Sequence, residues 1–352
     1  MQIELPERRY YGIGEVARAF GVNTSLIRFW EKEFSIIKPK KNAKGNRLFT
    51  KEDIEKAIGH FEKAAEIDEK YSRAYVGIAN GYALMSDSAF AYSEPLEHAG
   101  KIRKALNKAL ELNPDSAEAY ASKGSFLTFV QLDIDEGEES FEKSLKINPN
   151  IAQTHHWYAW NLLAEKRFEE AEKAFKRAHE LDPTSRIIAV EMGLPFVYQG
   201  KFDEALPYFR KAVDMDKNFP QSRFRLWYAL FYAGRYDEAS KELDAFRNLT
   251  SEKDPLYLVL YGGTLAKTGK KRKAREVFQN LVERKIEGEY ISPMMLASMA
   301  SVLDNKDEVI KYLEESFNER NDFLPYLEIA PEFKNVLDDR RFKDIVKRVA
   351  ER

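Results

Sequence analysis

The sequence predicts a mainly α-helical protein, with a small winged helix-turn-helix followed by a right-handed α-solenoid of about seven helix pairs. Two observations support this fold class. An Ala-x3-Phe-x2-Ala pattern recurs along most of the chain at intervals of about 34 residues, which is the length of one helix pair. Before it, the first 56 residues carry two helical patterns, two short extended stretches and the start of a third helix.

The composition is that of a soluble globular protein without disulfides. The chain has 352 residues, 44% of them hydrophobic and none of them cysteine, which excludes thiolate metal sites and cysteine nucleophiles. The N-terminus has no apolar signal region, and no stretch reaches the ~20 apolar residues that a membrane span needs. We therefore expect a cytoplasmic protein with no membrane partner.

Residues suited to catalysis are scarce. The five histidines show neither metal-ligand spacing nor the companions of a catalytic triad, and there is no glycine-rich phosphate loop. The sequence therefore predicts a protein that is not an enzyme, with no cofactor and no metal.

Positive charge is concentrated near the N-terminus. Residues 1–57 carry 12 basic against 8 acidic residues, whereas the remainder carries 44 against 50. Within residues 22–51 the excess is eight basic residues against two acidic ones. A local basic surface is expected where a protein contacts phosphates, although a solvated charged surface is the alternative interpretation.

The repeated pattern predicts how the helix pairs pack. Alanine allows two helices to approach closely, phenylalanine fills the space between them, and proline ends the second helix. The pattern is complete at Ala171, Phe175 and Ala178, and the following turn contains Pro183. Successive turn positions lie 34 or 35 residues apart, at Pro114, Pro149, Pro183 and Lys217. This period and pattern are those of tetratricopeptide (TPR) repeats.

We assign the repeats to residues 57–321 and a C-terminal helical cap to residues 322–352. The stretch Trp157–Asn161 and the tail from Pro331 to Phe342 resemble the TPR regions of bacterial signalling proteins, including winged-helix regulators and nucleotide cyclases. The resemblance implies a region for protein interaction or sensing, with no catalytic residues to carry over.

A partner groove is predicted on the first helices of the repeats, where side chains usually face the concave surface. Aromatic anchors on such a surface suit a protein or an extended peptide, although packing between helices is the alternative role for each of them. The candidate residues are His156, Trp160, Phe224, Tyr228 and Tyr232.

The N-terminal segment predicts a helix-turn-helix. Ile13 and Phe20 mark the apolar side of a first helix that ends at Gly21, and Ile27 and Trp30 mark that of a second. The start and exposed side of the second helix carry groups that can cap it or reach base edges and phosphates in a major groove. These are Asn23, Thr24, Ser25, Arg28 and Lys32.

A wing follows the second helix. Residues 36–39 and 47–49 form two short extended stretches, and the lysine-rich turn between them spans residues 40–46. Thr50 and Asp53 then form a capping signature for a third helix, which starts at Lys51. This helix is expected to run through Ile67, so that its first turns close the winged helix and its later turns open the solenoid.

The order of these motifs, including Ile13–Ala17, Ile27–Glu31 and Asn46–Thr50, resembles the MerR-type winged-helix DNA-binding domain. The resemblance covers residues 1–56 and implies a recognition helix in the major groove and a wing on the backbone. By position it implies groove or phosphate contact for Arg28, wing contact for Arg47, and wing-tip contacts for three lysines. The lysines are Lys40, Lys41 and Lys44.

Two features depart from that family. Phe29 and Trp30 occupy positions where many members have tyrosines, and the usual long dimerising helix is replaced by the first repeat. A single small module makes few contacts with DNA. The repeats would therefore form a homodimer, another protein would supply the second contact, or the affinity would be weak and electrostatic.

Two functions fit these patterns. The first is a transcriptional regulator whose winged helix binds duplex DNA and whose TPR solenoid binds a protein or peptide. The alternative is a TPR scaffold in which the N-terminal unit serves as a structural cap or a protein-binding module. Loss of DNA binding in Arg28→Ala or Arg47→Ala favours the first, and a partner retained after deletion of residues 1–50 favours the second.

Overall fold

A computed structural model describes residues 40–41, 47–48, 51–86 and 96–351. The first two ranges form a small antiparallel sheet. Strand β1 (Lys40–Lys41) pairs with β2 (Arg47–Leu48), with Lys40 opposite Leu48 and Lys41 opposite Arg47. The predicted hairpin is thus present, but its first strand includes two lysines that we had placed in the turn. That part of the prediction is wrong, because Lys40 and Lys41 both pair with β2, whereas the predicted stretch 36–39 lies outside the described residues.

The third predicted helix is one continuous element, α1 (Lys51–Ile67), with both predicted ends confirmed. Glu52 and Asp53 lie in its first turn, where carboxylates stabilise the helix dipole. Ile54 and Ile58 are buried farther along. The 17 residues of α1 correspond to ~25 Å of helix.

The described residues divide into two compact units. One comprises the residues up to 130 together with 135–157, and the other comprises 131–134 together with the residues from 158 onward. The first unit contains α1, α2 (Ser72–Ser86), α3 (Ala99–Leu112), α4 (Ala117–Phe126) and nearly all of α5 (Ile134–Ile147). The extended loop or lengthened helix predicted between Tyr82 and Ile102 lies partly outside the described residues.

Helix α6 (Ala152–Ala164) spans the boundary between the units, and the remaining helices belong to the second unit. They are α7 (Phe168–Leu181), α8 (Arg186–Glu191), α9 (Leu194–Tyr198), α10 (Phe202–Met215), α11 (Pro220–Tyr232), α12 (Tyr236–Arg247), α13 (Pro255–Lys267), α14 (Lys271–Ile286), α15 (Pro293–Val302), α16 (Lys306–Asn318) and α17 (Arg340–Ala350). Of the helices in the described ranges, none has the length and apolar character that crossing a bilayer requires.

Seven helix pairs follow α1 within the described residues, in agreement with the predicted fold class. In one of them the first helix is divided into α8 and α9. The alanine and phenylalanine positions pack as predicted, since Ala171, Phe175 and Ala178 are fully buried. Small residues complete this packing: a Cβ atom added to Gly193 would lie 2.6 Å from the Phe209 ring.

Three of the turns within helix pairs have the same backbone. Gly200, Gly234 and Gly269 have φ of 75°, 76° and 83°, a left-handed conformation that favours glycine. After Gly234, the Arg235 N–H donates to the Leu230 carbonyl at 2.9 Å, and Lys270 donates in the same way to Leu265 at 2.8 Å. These bonds close the first helix of the pair before the second begins.

The segment between α16 and α17, residues 319–339, is here called the tail segment. It contains two short 3₁₀ turns, Leu324–Tyr326 and Pro331–Phe333. Several of its apolar side chains are at most 2% exposed and contribute to the core of the second unit: Leu324, Tyr326, Leu327, Ala330, Phe333 and Val336.

Candidate functional site

The predicted DNA-binding residues lie mainly outside the described residues. This applies to Asn23, Thr24, Ser25, Arg28, Lys32 and Lys44. For Lys40, Lys41 and Arg47 the structure gives the backbone pairing, which places Lys41 opposite Arg47 across the two strands. Their roles in DNA binding remain predictions.

The five residues of the predicted partner groove are divided between the two units. His156 belongs to the first unit, where it is buried and its Nδ1 atom lies 3.3 Å from Gln153 Nε2. The other four lie in the second unit. The His156 side chain is thus largely enclosed, and its contact with a partner stays a prediction.

Trp160 is half-buried and packs against the tail segment. Its Nε1–H donates to Glu191 Oε2 at 2.6 Å, and its backbone carbonyl accepts from the Tyr326 hydroxyl at 3.1 Å. The Tyr326 ring meets Trp160 edge-on at 5.3 Å and stacks on Tyr198 at 6.0 Å between ring centroids. The indole therefore supports the tail segment, and only part of it remains accessible.

Tyr228 makes a second contact with the tail segment. It is 7% exposed, and its hydroxyl donates to Glu332, which is also buried. Burial raises the pKa of Glu332, and it raises the pKa of Tyr228 well above the ordinary value. Tyr228 thus packs within its own chain, and its contact with a partner stays a prediction.

The energy of the tail contacts shows that they belong to the core. Full burial of one large apolar side chain contributes ~1.5–3 kcal/mol. Leu324, Tyr326, Leu327, Phe333 and Val336 are all buried in this way, so together they contribute on the order of 10 kcal/mol as an upper estimate. This equals the total stability of many domains.

An accessible surface remains beside Trp160. Phe224 and Tyr232 are half-buried, and Arg225 lies over the rings of both Trp160 and Phe224, at 5.8 and 5.1 Å from their centroids. Among the described residues Arg225 makes no ion pair, whereas the neighbouring Arg223 binds Glu242 at 2.6 Å. A guanidinium that lies over two aromatic rings can still bind an acidic group. We did not predict Arg225 as a partner-binding residue, although it directly follows the candidate residue Phe224 in the sequence.

The described ranges contain no cluster of side chains typical of a metal-binding site. No group of three or more histidine, aspartate or glutamate side chains within residues 51–86 and 96–351 is arranged to hold a metal ion. His179 lies in α7, where burial lowers its pKa and Lys211 lowers it further.

Comparisons with known proteins divide the chain in the same way as its motifs. Residues 11–57 match the profile of the MerR HTH family regulatory protein. Residues 152–185 and 196–257 match profiles of the tetratricopeptide repeat. The first match ends inside α1, so this helix contains both the end of the MerR-type sequence and the first alanine-phenylalanine pattern.

One curated protein is similar to part of the chain. The heat shock protein sti1 homolog of Schizosaccharomyces pombe is 32% identical over 111 residues, which are 32% of this chain and 17% of that protein. The chain therefore matches only a small part of this relative.

Among solved structures, the human IFIT1 dimer with PPP-AAAA has a TM-score of 0.55 at 16% identity, and the alignment covers 86% of this chain and 69% of that one. The APC/C hetero-tetramer Cut9-Hcn1 has a TM-score of 0.55 at 15% identity, covering 84% and 52%. At these identities the similarity concerns the fold alone. The sequence matches identify the chain as a fusion of an N-terminal MerR-type helix-turn-helix with tetratricopeptide repeats.

Proposed function

We propose that the protein is a transcriptional regulator that binds duplex DNA through its N-terminal region and a protein or peptide through its repeats. The observation that carries the proposal is the match of residues 11–57 to the MerR HTH family, in a chain whose residues 152–185 and 196–257 match TPR repeats. The basic charge of residues 22–51 supports DNA binding, because phosphate contacts supply much of the affinity of such proteins.

Helix α1 supports a regulatory connection between the MerR-type region and the repeats. It starts within the MerR-type sequence and continues without interruption to Ile67, with Ala57 and Ala65 buried. A continuous helix transmits displacement better than a flexible linker, because its length and direction are fixed. A change in the packing of the first repeats would thus affect the N-terminal region through α1.

The DNA-binding part is tested by selecting from a randomised duplex library with the full chain, followed by titration of the enriched site. We expect salt-dependent binding that Arg28→Ala or Arg47→Ala weakens at least tenfold. A matched control is Arg73→Ala, which removes an exposed arginine outside the MerR-type sequence. Absence of an enriched site, together with equal behaviour of all three variants, would contradict the proposal.

For the partner, we propose that Trp160, Arg225 and Phe224 receive an acidic group of a protein or peptide. The proposal rests on the two cation-π contacts of Arg225 and on its lack of an ion pair among the described residues. Selection of displayed random peptides on the immobilised full chain should enrich aspartate and glutamate, and Arg225→Gln should abolish the enrichment. Arg177→Gln, on an exposed face of α7, is the control. Enrichment that persists in Arg225→Gln would exclude this site.

The alternative, a TPR scaffold with a structural N-terminal unit, is favoured by one observation. The 32% identity to the sti1 homolog concerns a region much longer than the MerR-type match. If the selected peptide binds normally and no duplex is enriched, the scaffold function replaces the regulator.

A homodimer would supply the second DNA contact that a single small module lacks. The oligomeric state of the full chain in solution, measured with and without the selected duplex, tests this part. We expect two copies on one duplex. A single copy with undiminished affinity would exclude the homodimer.

A further inference from the structure

Nine residues between the end of α13 and the first turn of α14 carry the densest positive charge in the second unit. This stretch, Lys267–Arg275, is here called the basic turn. It contains six basic residues and no acidic one, whereas the rest of residues 158–352 carries 28 basic against 34 acidic residues. All six basic side chains are exposed: Lys267, Lys270, Lys271, Arg272, Lys273 and Arg275.

The equivalent turns of two other repeats contain an ion pair. In the turn before α12, Arg235 at the N-cap pairs with Glu238 three residues later, at 2.6 Å. In the turn before α7, Arg167 pairs with Glu170 at 2.8 Å. In the basic turn the same two positions are Lys270 and Lys273. Two like charges therefore replace an ion pair on a backbone that is otherwise the same.

The helix dipole makes this replacement unfavourable for folding. The N-terminus of a helix carries partial positive charge, so carboxylates there are stabilising and cations are not. Four second helices of the unit's repeats have two acidic residues in the first turn, namely α7, α10, α12 and α16. Helix α14 has none. The charge of the basic turn thus reduces local stability, as expected of residues retained for binding.

Neighbouring carboxylates neutralise little of this charge. Lys271 lies 3.6 Å from Asp304, and Arg272 lies 3.6 Å from Glu276. The other four basic side chains have no ion pair with any described residue. At least four cations are therefore available to an anionic partner.

The surroundings of the basic turn favour binding to the phosphates of a nucleic acid over binding to a membrane. None of the large apolar side chains that are exposed in the described ranges lies in the basic turn, which therefore lacks the apolar area that strengthens binding in a lipid interface. A row of lysines and arginines on one short surface is the feature expected of contact with a nucleic-acid backbone. The same chain carries a MerR-type sequence, for which duplex DNA is the proposed ligand.

We propose that the basic turn binds the phosphate backbone of a nucleic acid, independently of base sequence. This contact lies outside the MerR-type region and goes beyond the proposed function of that region. It would supply phosphate contacts to a chain whose own helix-turn-helix is small.

The test compares salt dependence in two matched triple variants of the full chain. One is Lys267→Gln, Lys270→Gln and Lys273→Gln. The control is Lys211→Gln, Lys217→Gln and Lys241→Gln, which removes the same charge from exposed lysines elsewhere in the second unit. Fluorescence anisotropy measures binding to a duplex of random sequence at a series of salt concentrations. Each lost phosphate contact lowers the slope of log K against log salt by ~0.9, so the first variant should lose ~2–3 and the control nothing.

Further arms separate this inference from the proposed function. Arg28→Ala with Arg47→Ala should weaken binding to a selected site without removing the slope that the basic turn supplies. Equal slopes for the two triple variants would overturn the inference, even if the arginine variant lost binding. Stronger dependence on these lysines for vesicles containing phosphatidylserine, or for polyglutamate, than for the duplex would also overturn it. Single-stranded RNA and DNA probes show which nucleic acid is preferred. Thermal unfolding checks folding, and both triple variants should unfold no earlier than the parent.

Discussion

The aromatic contacts of the tail segment and the basic turn are two regions of the same unit that use their side chains in opposite ways. Around Tyr326, rings are stacked and buried, and polar atoms such as Trp160 Nε1 and the Tyr228 hydroxyl have partners. In the basic turn, Lys270 and Lys273 are exposed and occupy positions where other repeats form an ion pair.

This difference shows that aromatic patterns and charge patterns differ in how well they indicate a binding surface. Aromatic residues on the first helices predicted a groove, but Tyr228 serves the core of its own chain. The basic turn has no such structural role, since its charges oppose the helix dipole. In this unit, the residues that reduce stability are better candidates for function than the residues that pack well.

The largest effect is expected for Tyr326→Ala, which tests whether the tail segment is core. Removing a fully buried ring should lower the free energy of unfolding by about 3–5 kcal/mol, because Tyr326 is 1% exposed and packs on Trp160 and Tyr198. Urea unfolding of the full chain measures it. Tyr71→Ala, at a residue that is 46% exposed, is the control and should cost much less. Equal costs would contradict the assignment of the tail segment to the core.

Glu332→Gln should have a smaller effect that depends on pH. Burial raises the pKa of Glu332 above its ordinary value of 4.5, so the folded state binds the proton more tightly than the unfolded state. The stability from this proton is fully present below pH ~4.5 and is lost as the pH rises through the raised pKa. The uncharged glutamine should therefore make the protein more stable than the parent at pH 8, with little difference at pH 4.

Unfolding curves at the two pH values measure this difference. Glu328→Gln is a suitable control, because Glu328 is exposed in the same segment and pairs with Lys166 on the surface. A glutamine variant at position 332 that is less stable at pH 8 would show that the ionised carboxylate is the form that the fold requires.

Gly234→Ala and Gly269→Ala test whether the turn before α12 and the basic turn share a backbone conformation and differ only in charge. Each change should cost about 1–2 kcal/mol, because an L-residue with a side chain is strained at φ of 76° or 83°. Denaturant unfolding of both variants gives the comparison. Gly100→Ala is the control in the first turn of α3, where an added Cβ atom meets no other atom within 4 Å, and it should stabilise by at most about 0.5–1 kcal/mol. A cost at only one turn would show that the turns are not equivalent.

The smallest effect is expected when the charge at one position of the basic turn, or at the equivalent position of the turn before α12, is reversed. Lys273→Glu should raise the free energy of unfolding by about 0.3–1 kcal/mol, since it improves the dipole interaction and can pair with Lys270. Glu238→Lys should lower it by a similar amount, through loss of the pair with Arg235. Both differences should shrink in high salt. A destabilising Lys273→Glu would remove the argument that the basic turn reduces stability.

Much of the architecture could be predicted because it depends on local patterns. The start of α1 at Lys51 follows from a capping signature, and its end at Ile67 follows from the length of the repeat pattern. The buried positions Ala171, Phe175 and Ala178 follow from helical periodicity. The first strand was placed too early, because Lys40 and Lys41 pair with β2 beyond the proline that we took as its end.

The candidate site was predictable only in part, because burial of a helix face depends on contacts that are distant in sequence. The Tyr326 hydroxyl bonds to Trp160 across 166 residues, and Glu332 receives the Tyr228 hydroxyl across 104. Neither contact leaves a periodic signal near Trp160 or Tyr228. The charges of the basic turn were visible in the sequence, but their meaning required alignment with the ion pairs of the other repeats.

By itself the sequence determined the fold class, the MerR-type and TPR assignments and the shared helix α1, since short-range periodicity, capping and turn residues specify all of them. Only the tertiary structure decided that His156 and Tyr228 are enclosed, that Arg225 lies between Trp160 and Phe224, and that the tail segment is core. The physical reason is that burial and charge pairing depend on which surfaces meet in the fold, and that is decided by packing between distant parts of the chain.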